Sequence, residues 1–228
     1  MFKKYKIHIK SFFVFLLYFS FFPLMASLLK TININISDYK SIILITLDIL
    51  IFIIFFYIYK TEIINYFKNF KKTFKNDYEI YFRYWIIGLI ISTFISFLIM
   101  FFIKPGLPSN EETIRNLLLT LPIYSIISTT IIAPFIEELA FRKIFYDVLK
   151  NRKYFFIIIS GIVFGLAHIG FSTNLEDLID AIPYSILGST FALMYYKSKN
   201  IMYPMFFHFL HNTLLIISFY MSYLFGGK

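Results

Sequence analysis

Two adjacent carboxylates, Glu137 and Glu138, lie in a stretch of sequence that is otherwise apolar enough for a lipid bilayer. A charge at membrane depth costs roughly 2.5–3.5 kcal/mol to insert, so such residues normally face a protein interior or a wet cavity. On a helix, Glu138 and Arg142 stand four residues apart and share a face, whereas Glu137 points about 100° away. This spacing predicts a Glu138–Arg142 ion pair and a Glu137 that is free to take a proton. A surface ion pair at a helix end is the alternative.

Two further apolar segments carry polar side chains at helical spacing. His168 follows Phe164 by one turn, and alone it is more simply explained as a packed core histidine than as a catalyst. His208 and Asn212 share a helix face, where the alternative is an interhelical hydrogen bond worth about 1 kcal/mol. A rise of about 1.5 Å per residue, counted from the basic ends of the helices, brings the acidic pair and both histidines to similar depth. The sequence therefore predicts that the three polar clusters meet in one buried pocket.

Apolar helices are the elements that must position these clusters. The chain has 228 residues, of which 59% are hydrophobic and 22% aromatic, and its mean hydropathy is +0.73. Soluble domains are nearer to half apolar. We predict an all-α fold, a polytopic membrane helical bundle of about seven transmembrane helices with a polar intramembrane cavity. The segments long enough, or nearly so, to cross a hydrocarbon core of about 30 Å are 11–29, 41–59, 85–103, 123–149, 154–171, 179–196 and 200–224.

Some local features refine this prediction. Gly161 and Gly165 form a stripe of small residues that predicts a close approach by another helix. The segment EETIRNLLLTL before Pro122 is expected to be an interfacial or re-entrant helix. Asp48 is a charge inside the second predicted span, and we expect it to pair with Arg83, to pair with another helix, or to line the cavity. The first apolar segment is expected to be an uncleaved span, with a signal peptide as the alternative.

The basic residues are distributed asymmetrically about the predicted spans. The net charge is +9, and 17 of the 22 basic residues fall on one side of the membrane. The exceptions are Lys30, Lys40, Lys104, Arg115 and Lys228. This pattern predicts a multi-pass protein of the cell membrane with a cytoplasmic N-terminus and an external C-terminus. It favours contacts with the lipid bilayer over nucleic acid. The absence of cysteine excludes disulfides and a cysteine nucleophile.

The order of the polar motifs resembles one protein family. E-E-x-x-x-R, F-x-x-x-H and H-x-x-x-N, with the wider strings APFIEELAFR and FGLAHI, are similar to the CPBP (CAAX protease and bacteriocin-processing, or Abi) family of intramembrane proteases. The resemblance covers about residues 115–215. We therefore divide the chain into N-terminal transmembrane helices with a basic cytoplasmic loop (1–114) and a CPBP/Abi-like catalytic helical core (115–228). Lys143 departs from the family, in which many members have glycine, and should alter packing more than chemistry.

The resemblance implies a conical cavity in which peptide bonds are cleaved within or near the membrane. By position, it implies that Glu137 is the base that activates water and that His168 helps to hold Glu137. Glu138 would be oriented through Arg142.

The same resemblance makes His208 and Asn212 the groups that stabilise the oxyanion. We expect Glu137 to activate water directly. The alternative is a Zn²⁺ site in which Glu137, His168 and His208 supply three ligands and leave one position for water. No H-E-x-x-H motif is present. With both alternatives open, the expected cofactor is none or Zn²⁺.

The leading hypothesis for function is an intramembrane endopeptidase of the CAAX type. Its substrate would be a membrane-associated peptide or the tail of a membrane protein. One alternative is a non-catalytic membrane protein that gives self-immunity against a bacteriocin, in which the motifs form a structural polar network. A solute or ion carrier ranks last, because the sequence has neither internal repeats nor pairs of broken helices.

Overall fold

The computed structural model describes residues 2–31 and 40–226 of the chain. These residues form helices without any strand. The bounds of the helices are α1 Phe2–Thr31, α2 Lys40–Phe102, α3 Ser109–Thr120, α4 Pro122–Leu149, α5 Lys153–His168, α6 Leu175–Ser198 and α7 Met202–Phe225. Five of them, α1, α2, α4, α6 and α7, are long and apolar enough to cross a membrane, and α5 is a shorter apolar helix. The predicted all-α membrane helical bundle is confirmed.

Helix α2 corrects one expectation. The predicted spans 41–59 and 85–103 are not separate helices, because both lie in one helix of 63 residues, Lys40–Phe102. Its length of ~95 Å is about three times the thickness of a hydrocarbon core. The basic residues between the two predicted spans lie in the middle of this helix. A polar stretch does not interrupt a helix when it contains neither proline nor glycine, and none occurs between residues 60 and 87.

The two halves of α2 pass the bundle in opposite directions. In the first half, Asp48 contacts Ser128 near the start of α4, and the Lys143 ammonium lies 5.7 Å from the ring of Tyr59 further along both helices. The second half of α2 runs antiparallel to α6. Thr190 lies against Gly88, and the Asp180 carboxylate lies 2.8 Å from Lys104 just beyond the end of α2. Helix α2 must therefore bend, and its apolar halves act as the two predicted spans.

The middle of α2 wraps around the beginning of α7. Tyr203 donates a hydrogen bond to Asp77 at 3.0 Å and also contacts the hydroxyl of Thr73 at 2.7 Å. The ring of Tyr81 packs against the ring of Tyr203 with centroids 4.3 Å apart. These contacts fix where the chain reverses, on the side of the bundle where α6 ends and α7 begins.

Helices α5 and α6 approach each other closely, as the glycine stripe predicts. A Cβ atom added at Gly161 would collide with Ser189 and with the backbone of Ser185, and one added at Gly165 would collide with Ser185 and the backbone of Ala181. Small residues therefore face each other on both helices. This packing holds α5, with His168 at its end, against α6.

We predict that Gly161→Val lowers the unfolding temperature of the detergent-solubilised protein, because the added methyl groups overlap backbone atoms of α6. Overpacking of this kind typically costs about 1–3 kcal/mol. Ile162→Val is the matched control, since that side chain is 42% exposed on the outer face of the same helix. Equal unfolding temperatures for the two variants would contradict the proposed packing.

Candidate functional site

Helix α4 is widened twice where the site residues lie. Its turns are π-helical over Ser128–Ile132 and Glu138–Lys143, and such widenings are frequent at functional sites. The first has a cause in the sequence. Pro134 has no N–H to donate, and the N–H of Ala133 bonds to the carbonyl of Ser128. The Thr129 carbonyl is thus left without a donor four or five residues ahead, and it is open to a side chain.

The second widened segment contains a buried ion pair. The Arg142 Nε atom lies 3.2 Å from Oε2 of Glu138, and both side chains are fully buried. The guanidinium also donates to the carbonyl of Gly188 at 3.3 Å and stacks over the ring of Phe164, 4.1 Å from its centroid. A cation over an aromatic face is attracted by the ring quadrupole. Glu138 and Arg142 therefore do not form the surface ion pair at a helix end that was the alternative.

The burial of Arg142 and Lys143 bears on the predicted charge asymmetry. Both belong to the 17 basic residues assigned to one side of the membrane, but both are buried in α4. The ammonium of Lys143 pairs with Asp147 one turn further along. Neither residue therefore belongs to an exposed basic loop.

His208 joins the acidic pair from α7. Its Nδ1 atom lies 2.9 Å from Oε1 of Glu138, and its ring stacks on Phe191 with centroids 5.0 Å apart. A carboxylate paired with arginine is an acceptor, so the ring carries a proton on Nδ1. The Glu138 carboxylate thus bridges two partners, the guanidinium through one oxygen and the imidazole through the other.

Glu137 faces the other nitrogen of the same imidazole. Its Oε2 atom lies 3.7 Å from Nε2 of His208. If Nδ1 of His208 is protonated, then Nε2 of the neutral ring and an ionised Glu137 are both acceptors. Their approach is favourable only when the pair shares one more proton or a water lies between them. The geometry therefore couples the proton of Glu137 to His208.

His168 lies apart from this pair. The Nδ1 atom bonds to the carbonyl of Phe164 at 2.8 Å, so a neutral ring leaves an acceptor lone pair on Nε2. The ring stacks on Tyr184 with centroids 4.6 Å apart. The ring nitrogens of His168 are more than 4.0 Å from the Glu137 carboxylate, so the structure places His208, rather than His168, against Glu137.

Asn212 is anchored to the first widened segment of α4. Its side-chain N–H donates to the Thr129 carbonyl at 2.8 Å, which is the carbonyl that Pro134 leaves free. The second N–H and the amide oxygen of Asn212 have no partner among the described residues. Asn212 and His208 are thus on one face of α7, as their spacing predicts, but each is tied to a different turn of α4.

One cavity of about 520 Å³ joins these groups. It is lined by the polar side chains Glu137, His168, His208 and Asn212, together with Tyr184 and His211. Helix α3 and the second half of α7 line the same cavity. They contribute apolar side chains, and α3 also contributes Asn110, Glu111 and Arg115. The three polar clusters that the sequence places on separate helices therefore line one pocket.

The arrangement of the possible ligands bears on the Zn²⁺ alternative. Over residues 2–31 and 40–226, no group of three or more His, Asp or Glu side chains is arranged to hold a metal ion. Glu137, His168 and His208 line the cavity without forming such a set.

Sequence reasoning missed three features of this site. Tyr184 carried no motif, and its contact with His168 depends on the close packing of α5 and α6. The partner of Asp48 is Ser128, whose hydroxyl donates to the carboxylate at 2.5 Å, and not Arg83. The widened turns of α4 were also not foreseen, although Pro134 was a signal for the first of them.

Comparison with known proteins matches the part of the chain that carries this site. Residues 119–214 match the family described as type II CAAX prenyl endopeptidase Rce1-like. The resemblance to CPBP membrane proteases is confirmed. The Rce1-like segment runs from the end of α3 to the middle of α7, and it contains each of the motifs named above.

Each of three curated relatives matches about half of the chain. The chain is 34% identical over 110 residues to "Putative membrane peptidase YdiL" of Bacillus subtilis (strain 168), a match that covers 47% of this chain and 42% of the relative. It is 30% identical to UPF0177 protein YvdC of Lactococcus lactis subsp. lactis (strain IL1403), over 46% of this chain and 38% of the relative. For UPF0177 protein YaiH of the same strain, the figures are 33%, 50% and 45%. The chain thus spans less than half the length of these relatives. No solved structure matches the chain significantly.

We predict that Glu138→Gln destabilises the fold, because the neutral amide leaves the buried charge of Arg142 uncompensated. Loss of one member of a buried pair typically costs about 3–5 kcal/mol. The measurement is the unfolding temperature in detergent. Glu111→Gln is the matched control, since it breaks an i, i+4 ion pair with Arg115 that is 40% exposed on each side. Exposed pairs contribute about 0–1 kcal/mol, so equal effects of the two substitutions would contradict the proposal.

Proposed function

We propose that this protein is a glutamate-type intramembrane endopeptidase. The observation that carries the proposal is the chain of contacts from Arg142 through Glu138 and His208 to Glu137. It ends in a cavity, within a segment that matches a family of CAAX endopeptidases. Ionisable side chains are costly within a membrane bundle and are retained mainly for function. Glu137, the last residue in this chain of contacts, faces the cavity, and this position favours proton transfer.

In the proposed reaction, water in the cavity attacks the carbonyl carbon of a peptide bond. Glu137 accepts a proton from this water as the C–O bond forms, and the carbonyl oxygen becomes an oxyanion. The proton then passes from Glu137 to the amide nitrogen as the C–N bond breaks. The products are a carboxyl group and an amine, and one water is consumed. A positioned base of this kind contributes about 10²–10⁴-fold to the rate.

His208 and Asn212 are proposed to stabilise the oxyanion. The free N–H of Asn212 is one donor. His208 is the second donor when its ring is an imidazolium, a form that the two carboxylates and Arg142 balance in charge. Each such donor contributes about 2.7–4 kcal/mol when it is aimed at the oxyanion. His168, with a lone pair on Nε2, is proposed to hold the attacking water by accepting one of its hydrogen bonds.

The apolar part of the cavity lining supports one class of substrate. Leu117 of α3 and Leu215 and Phe219 of α7 line the same cavity as the polar groups. We propose a membrane peptide or the tail of a membrane protein, with apolar residues next to the cleaved bond. The basic residues of the loops support a cytoplasmic N-terminus, and α3 would then lie at the outer face of the membrane.

We predict that Glu137→Gln folds normally but cleaves peptides at least ~10²-fold more slowly than the unchanged protein, because the amide accepts no proton. The assay is cleavage of an apolar peptide library by the purified protein in liposomes, with unfolding temperature measured in parallel. Glu62→Gln is the control, since Glu62 is a half-exposed carboxylate of α2. Undiminished cleavage by Glu137→Gln would refute the proposed base.

The same assay with a chelator distinguishes the two catalytic types. Direct activation by Glu137 predicts equal rates with and without a chelator that removes Zn²⁺. Loss of activity with the chelator, and recovery on adding Zn²⁺, would replace the glutamate mechanism with the metal mechanism. If no peptide is cleaved but protection against a bacteriocin survives Glu137→Gln, the immunity function would be the correct one.

A further inference from the structure

Asp48 is a buried charge that the proposed chemistry does not use. It lies in the first apolar half of α2, outside the Rce1-like segment, and only 5% of its surface is exposed. No cation among the described residues lies within 4.0 Å of its carboxylate. An ionisable side chain at such a position is rare in membrane helices and is usually functional.

The contact of Asp48 falls on an irregular part of α4. Its carboxylate accepts a hydrogen bond from Ser128, the first residue of the π-helical segment Ser128–Ile132. The Tyr124 hydroxyl, one turn earlier, interacts with the same carboxylate. Asp48 therefore ties α2 to α4 at the point where the regular α-helical bonding of α4 ends.

The next residue of α4 holds a side chain of the proposed site. The Thr129 carbonyl, left free by Pro134, accepts the N–H of Asn212. The carbonyl directions of a π-helical turn are less constrained than those of a regular α-helical turn. The geometry of such a turn therefore depends on its contacts with neighbouring helices. Asp48 holds it one residue before the carbonyl that anchors Asn212.

We propose that Asp48 is a positioning residue: through Ser128 it fixes the first π-helical segment of α4, and this segment fixes the Asn212 amide in the cavity. The kinetic consequence rests on the proposed function, since it requires that Asn212 donates to the oxyanion. The structural consequence, a fixed α4 segment, does not.

The kinetic test uses the purified full chain and an apolar peptide that it cleaves. Asp48→Leu removes the acceptor and is expected to lower kcat on the order of 10²-fold at unchanged KM, because a donor displaced by about 1 Å loses its alignment. Asp48→Asn keeps an oxygen that accepts from Ser128 and is expected to retain activity close to that of the unchanged chain. Ser128→Ala removes the same bond with a smaller change and should behave as Asp48→Leu. Glu62→Gln controls for loss of an α2 carboxylate.

A double substitution tests whether Asp48 acts through Asn212. Asp48→Leu combined with Asn212→Ala should be no slower than Asn212→Ala alone, because residues acting in one chain of contacts are not additive. Multiplied losses, or full activity of Asp48→Leu and Ser128→Ala, would overturn the proposal.

A labelling test needs no peptidase activity. The sequence has no cysteine, so an introduced thiol is the only one in the chain. Thr129→Cys places it on the wall of the cavity in α4, and Glu111→Cys places it on the wall of the same cavity in α3. Asp48→Leu should raise the rate of maleimide labelling severalfold at Thr129→Cys and leave it unchanged at Glu111→Cys, whereas Asp48→Asn should change neither rate.

Equal labelling of Thr129→Cys with Asp or Leu at position 48 would overturn the proposal. If the unchanged chain cleaves no peptide, the proposed function fails, but the labelling rates still decide whether Asp48 fixes α4. The two failures are therefore distinguishable.

Discussion

Arg142 is a fully buried guanidinium in an apolar bundle, and the candidate site depends on how its charge is compensated. Glu138 supplies the opposite charge from the preceding turn of the same helix. Its second oxygen accepts a hydrogen bond from Nδ1 of His208. An isolated buried ion would be prohibitively costly, so the guanidinium, the carboxylate and the imidazole must remain together. The Glu138–Arg142 pair therefore also sets the orientation of the His208 imidazole, and it determines which imidazole nitrogen faces Glu137.

The local irregularity of α4 gives the site its second fixed point. In a regular α-helix each interior carbonyl already accepts a backbone N–H from four residues ahead. Pro134 removes one donor and the widened turn before it redirects another, which leaves the Thr129 carbonyl for Asn212. In the second widened segment, the Phe141 carbonyl likewise accepts the hydroxyl of Ser160 from α5 at 2.7 Å. Each widened turn thus bonds α4 to another helix through a polar contact that lipid-facing helices do not make.

The sequence predicts the helices of this fold and the residues of its cavity better than it predicts their contacts. The length of an apolar segment indicates a membrane span, but it does not show whether the helix ends between two such segments. The segments 41–59 and 85–103 therefore gave no indication that they belong to one bent helix. The Glu138–Arg142 pair followed from regular i, i+4 spacing and formed although the turn there is π-helical. The expected support of Glu137 by His168 was a different case. It depends on the relative rotation of α4, α5 and α7, which one-dimensional spacing does not contain.

The partner of Asp48 was unpredictable for the same reason. Charge complementarity suggested a cation such as Arg83, but the bend in α2 carries the second half of the helix along α6, away from Ser128. Hydroxyl groups then satisfy a carboxylate that sequence reasoning would pair with an arginine. A polar residue in an apolar segment can therefore be recognised as important from the sequence, whereas its partner depends on the path of the chain.

The cavity is lined by both polar and apolar side chains, and this combination bears on the proposed cleavage of a peptide bond within a membrane. A helical segment in lipid has every backbone group bonded, and it must be extended before its carbonyl can be attacked. Extension frees backbone N–H and C=O groups that lipid cannot satisfy, at several kcal/mol each. In the proposed reaction, the apolar side chains of α3 and α7 would accommodate the side chains of such a segment, and the polar groups of the cavity would offer donors and acceptors to its freed backbone. The polar groups would then favour the extended form of the substrate where Glu137 and His208 lie.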